Sequence, residues 1–162
     1  MEVCQYKSSV ERGRHMEQLI REYFASCNQA DVDKVKSCFT PDAVDYFPPG
    51  TYDGPFRGAR KIAEKWCDAI REYEAYWIID KILVEPFGFQ AVIEWTHFKT
   101  KHDTMMRGIE WYEFDNTSGL IKEIRAYYAA PYGLEFPRLE LGSFDYAGRG
   151  YATSPFTQGI KR

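Results

Sequence analysis

The chain has 162 residues, 44% of them apolar and 17% aromatic, and a formal net charge of −3. This length suits one domain with its own core. Lys and Arg are scattered among acids, which argues against a nucleic-acid partner, and no apolar run is long enough for a helical membrane span. Residues 1–13 read as a polar extension without the apolar stretch of a secretory signal, so a cytoplasmic location is expected. Cys4, Cys27, Cys38 and Cys67 show neither CxxC nor Cys/His ligand spacing. Reduced thiols are expected, and no metal or cofactor.

Helical spacing starts at His15 and runs to Asn28, with Leu19, Ile20, Tyr23, Phe24 and Cys27 on one stripe. Asp31 suits the cap of a short second helix that turns Val32, Val35 and Phe39 inward and ends before Pro41. Ala43 to Phe47 reads as a short strand stopped by Pro48-Pro49-Gly50. Gly58 opens a third helix with Ile62, Trp66, Ala69, Ile70 and Tyr73 on one side. Four strands follow: Tyr76–Glu85, Phe89–Thr100, Thr104–Phe114 and Leu120–Ala129, each pair separated by a turn. Helices first and an antiparallel meander afterwards define an α+β domain over residues 14–130. Residues 131–162, with Phe136, Leu139, Leu141, Phe144 and Tyr146, are too aromatic for a free tail and are expected to fold back onto it.

Strand alternation selects a candidate pocket. Ile93, Trp95 and His97 share one face of their strand, Gly108, Glu110 and Tyr112 share one on the next, and Ile124, Ala126 and Tyr128 on the last. If these faces form one concavity, it holds aromatic walls, an imidazole and a carboxyl, the composition of a ligand pocket. The opposite face bears Val92, Thr96 and Phe98, and is expected to join two copies in a homodimer.

The element order, together with Glu22-Tyr23-Phe24, Asp31-Val32-Asp33, Pro41-Asp42-Ala43-Val44 and the hairpin wording from Gly119 to Arg125, resembles the nuclear-transport-factor-2-like superfamily. That group includes SnoaL-like polyketide cyclases, limonene-epoxide hydrolases, scytalone dehydratases and ketosteroid isomerases. The resemblance spans residues 14–130. It implies three helices on a strongly curved, mostly antiparallel mixed sheet, a cone-shaped α+β barrel. The stretch from Pro86 to Asp115 is similar to ketosteroid isomerases without a gap. On that register Glu110 falls at the protonated oxyanion-hole acid and Tyr23 at the oxyanion-hole tyrosine, while His97, Trp95 and Tyr128 fall on the pocket wall. Phe47 stands at the isomerase's general base, and Ala126 at an acid of the epoxide hydrolases. These departures speak against steroid isomerisation and epoxide hydrolysis.

The residues expected to carry chemistry are His97, Glu110, Asp45 and Tyr23. Trp95, Tyr128, Phe47, Ile93, Trp66 and Tyr112 are expected to hold a small apolar molecule. His97 or Asp45 would remove a proton, and Glu110 and Tyr23 would stabilise or protonate oxygen. Each has a plainer reading: Glu110 paired with Arg107 or Arg125, His97 and Tyr23 as core packing, Asp45 as an exposed strand acid. Two functions follow, a cofactor-independent lyase, isomerase or cyclase acting on a carbonyl compound, and a noncatalytic binding or dimerisation module.

Overall fold

A computed structural model describes residues 8–48, 52–128, 146–148 and 150–155, and the backbone of 138–139. Helix α1 (Ser9–Asn28) begins earlier than its apolar stripe, because the Ser8 side chain accepts from the backbone N–H of Glu11 and caps it. Met16, Leu19, Ile20, Tyr23, Phe24 and Cys27 are buried along one side. Ala30, with φ of 52°, turns the chain, and Asp31 caps the short α2 (Val32–Ser37) by accepting from the N–H of Lys34. Strand β1 (Phe39–Tyr46) starts sooner than expected and runs through Pro41. A register shift between Phe39 and Val44 accommodates the proline, which has no N–H to give to the ladder. Phe39 therefore belongs to the sheet and not to α2. The two-residue β2 (Phe56–Arg57) pairs with β1, and α3 (Ala59–Tyr73) follows Gly58, whose φ of 90° favours glycine.

Strands β3 (Ala75–Glu85), β4 (Gln90–Lys99), β5 (Thr104–Phe114) and β6 (Ile121–Tyr127) form the antiparallel meander, and β6 pairs in parallel with β1. The order β2-β1-β6-β5-β4-β3 leaves two edges, so the sheet is curved but open and not a closed barrel. Beyond the end of β6, the two-residue β7 (Arg138–Leu139) pairs in parallel with Met105 and Met106. In β3, Asp80 is an extra residue between the pairs Ile79–Trp95 and Lys81–Glu94. This bulge keeps Trp77 and Ile79 in phase with the inner face while Asp80 and Lys81 both turn outward.

The three helices cover the inner face. There Ala91, Ile93, Trp95, Tyr112, Phe114, Ile121 and Ile124 join helix residues in one core. On the outer face Phe98 and Thr96 are buried within the single chain, while Val92 is half-buried. Ala152 packs with Ile78, Phe98 and Met105, so the chain's own C-terminal segment covers them. Arg107 donates to the carbonyl of Ala152, and the N–H of Ala152 donates to Asp80. Tyr146 lies in that same outer cluster, its ring 4.0 Å from the Arg107 guanidinium carbon. Phe136, Leu141, Phe144 and the side chain of Leu139 lie outside the described residues. Among the described residues no helix is long and apolar enough to cross a membrane.

Candidate functional site

The cavity lies between the inner sheet face and α1, and measures about 640 Å³ including the space open at its mouth. Strand alternation sends Trp95, His97 and Lys99 of β4 into it, with Met106 and Glu110 of β5 and Ala126 of β6 beside them. Tyr128 follows β6, Tyr23, Phe24 and Cys27 come from one stripe of α1, Trp66 from α3, Trp77 from β3 and Tyr52 from the loop before β2. Gly108, opposite Trp95, makes the layout possible. A Cβ there would lie 2.4 Å from the Trp95 ring, so the missing side chain is what lets the indole cross β5. Trp77 is fixed by Asn28, whose amide bonds both its N–H and its C=O at 2.8 Å. His97 then stacks on Trp77, ring centroids 3.8 Å apart and planes 10° from parallel.

Burial shifts the titratable groups towards their neutral forms. Burial pushes Glu110 up to about 7, opposed by the hydroxyl of Tyr112, which donates to it. Among the described residues no cation pairs with Glu110: Arg107 faces Asp80, and Arg125 faces Glu113 and Glu123. Asp45 is raised well above the carboxylate range by burial and then by the neighbouring charge of Glu110, although Trp66 Nε1 donates to its Oδ2 at 2.8 Å. Burial thus favours its protonated form. Burial, then the Lys99 charge, holds His97 well below the ordinary imidazole range, so it is neutral too. Burial raises Tyr23, which keeps its proton as a donor. Lys99 is lowered by burial, and its ammonium sits 4.9 Å from the Tyr73 ring centroid. Asp45 Oδ1, Trp95 Nε1 and His97 Nε2 are buried and have no hydrogen-bond partner among the described residues.

His97, Glu110, Tyr23, Trp95, Tyr128 and Trp66 thus line one cavity. Four expected members do not. Asp45 lies behind Trp66 in the core, because β1 packs under α3, and does not reach the cavity. Phe47 turns into an aromatic cluster with Tyr52, Phe56 and Trp66 and backs the wall. Ile93 is core packing, and the fully buried Tyr112 supports Glu110 from beneath. The wall residues not foreseen are Phe24, Cys27, Tyr52, Trp77, Lys99 and Met106. Lys99 has the parity of Trp95 and His97, and Cys27 lies one turn beyond Tyr23, so both were within reach of the periodicity. Tyr52, on a loop, gave no such signal.

A curved α+β sheet with helices on one face and an aromatic pocket holding acid–base groups defines the class of protein. Within it the chain belongs to the SnoaL-like domain family, whose pattern matches residues 20–124. It is similar to a protein of unknown function with a cystatin-like fold from Methylobium petroleophilum, 53% identical, with 88% of this chain and 95% of that one covered and a TM-score of 0.72. It shares its fold with SalBIII, an epoxide hydrolase/cyclase-like enzyme of pyran ring formation in the polyether salinomycin (17% identity, 72% and 92% coverage, TM-score 0.60). A putative ketosteroid isomerase from Kribbella flavida is similar in fold as well (16% identity, 76% of this chain and 87% of that one covered, TM-score 0.59). No curated protein matches the chain.

Proposed function

We propose that the protein is a lyase, isomerase or cyclase that moves a proton on a small, mostly apolar carbonyl compound, using its own side chains and no cofactor. The observation that carries this reading is Glu110: a carboxyl in an aromatic cavity, without a cation partner among the described residues and poised at about 7. A group with that affinity is partly ionised at neutral pH and can both take and return a proton. Proton removal breaks the C–H bond next to the carbonyl. The proton goes to Glu110, the bonding pair becomes the C=C bond, and the carbonyl π pair moves to oxygen. Tyr23, which keeps its proton, and the neutral imidazole of His97 stand in the same cavity to meet that oxygen. Glu110 thus takes the role of base that sequence reading gave to His97 or Asp45.

Exchange of the proton next to the carbonyl for deuterium, followed by NMR on a panel of small ketones, tests this without knowledge of the natural substrate. The wild type should catalyse exchange with a midpoint near pH 7. Glu110→Gln should lower the rate by about 10²–10⁴-fold. Equal rates in both proteins would remove Glu110 from the chemistry and favour a binding module.

A further inference from the structure

Trp95, His97 and Lys99 occupy alternate positions of β4, so their side chains leave the same face and enter the same cavity. Trp95 Nε1 and His97 Nε2 have no hydrogen-bond partner among the described residues, in side chains whose residues are 3% and 6% exposed. Leaving a buried polar nitrogen in this state is costly, so a wall carrying two of them is built for oxygen atoms that something else supplies. Lys99 extends the row with a half-buried ammonium. Its surroundings are the Tyr73 ring, the neutral His97 and the more distant carboxylate of Glu72, with no ion pair to Lys99 among the described residues. It is the one Lys or Arg on the described wall. The acids on the opposite side, Glu110 and behind it Asp45, are raised above the ordinary carboxylate range and offset this charge only in part.

We propose that the pocket takes a small carboxylate on an apolar or aromatic body, its charged end held by Lys99 and its oxygens met by the β4 row of Trp95 and His97. The inference rests on the proton-transfer reading for the reaction and names its substrate class. The rest of the ligand lies against Trp66, Trp77 and Tyr128, with the atom that exchanges its proton turned towards Glu110. One wall binds oxygen and charge, and the other moves the proton.

Phenylacetate and its neutral counterpart phenylacetamide separate charge from shape, and quenching of the three cavity tryptophans reports their binding. The carboxylate should bind at least about tenfold more tightly than the amide, the size of one charge-assisted contact. Lys99→Met, which keeps most of the stem, should bring the two within about twofold, and Lys99→Arg should keep a clear preference. Equal binding of the two probes to the wild type would overturn the assignment of Lys99, as would a preference that survives Lys99→Met. Failure of both probes to quench at millimolar concentration would overturn the ligand class. None of these outcomes touches ketone exchange by Glu110, and a carboxylate preference without any exchange would sink the catalytic reading alone.

Discussion

Asp80 on the outer face of the sheet and Glu110 on the inner face are both carboxyls nearly closed off from water, yet their surroundings differ. Asp80, its side chain 1% exposed, accepts from Thr96 at 2.5 Å and from the N–H of Ala152 at 2.9 Å, with Arg107 Nη1 at 3.8 Å. Arg107 is occupied in turn by the Ala152 carbonyl and the Tyr146 ring, and the Tyr151 hydroxyl donates to Glu94 nearby. Glu110 has the Tyr112 hydroxyl and, among the described residues, no cation. The same sheet therefore supplies full partnership where an acid holds the C-terminal segment down, and withholds it where an acid faces the cavity. Burial without an ion-pair partner is what raises Glu110, and the proposed role draws on that raised affinity.

The largest expected effect breaks the paired side. Arg107→Met leaves Asp80 buried without its cation and should cost about 3–5 kcal/mol of stability in denaturant unfolding. Adding Asp80→Asn should recover part of this loss. A loss below about 1 kcal/mol would show that the outer network is not held by charge.

The next effect sharpens the other side. Glu110 titrates at about 7 in the folded chain, above its usual 4.5. The unfolded chain therefore releases this proton first, and the folded state loses stability as pH rises from 4.5 to 7. Compared with Glu110→Gln, the wild type should lose about 3 kcal/mol across that window, with the difference complete above pH 7 and absent below 4.5. Parallel stability profiles for the two proteins would mean that Glu110 is not held protonated by the fold. A smaller change comes from Trp66→Phe, which removes the donor to Asp45 and should cost about 1–2 kcal/mol. It should also raise the affinity of Asp45 for its proton, since the Trp66 bond is what lowers it.

Much of this arrangement was legible because strand alternation is a rigid rule. It placed Trp95, His97, Glu110 and Tyr128 on one cavity from the residue order alone, and the resemblance to ketosteroid isomerases added Tyr23. Where backbone geometry departs from the regular period, the reading lost its grip. Asp80 adds a residue to β3 and reverses parity beyond it, so that Trp77 and Ile82, an odd number of residues apart, both pack inward. Pro41 marked a stop in the sequence but lies inside β1, where the register shift absorbs it. Phe47 and Asp45 share a parity that brings neither into the cavity, because α3 and its Trp66 stand between β1 and the open space. The partners of Asp80 come from residues far along the chain, and spacing carries no trace of such contacts.

The central claim, that Glu110 is a proton carrier poised for neutral pH, is tested most directly by following its side-chain carboxyl carbon by NMR in selectively ¹³C-labelled protein. The account predicts a titration midpoint near pH 7 in the ligand-free protein, assigned by the loss of the signal in Glu110→Gln. A midpoint in the ordinary carboxylate range, near 4.5, would contradict it.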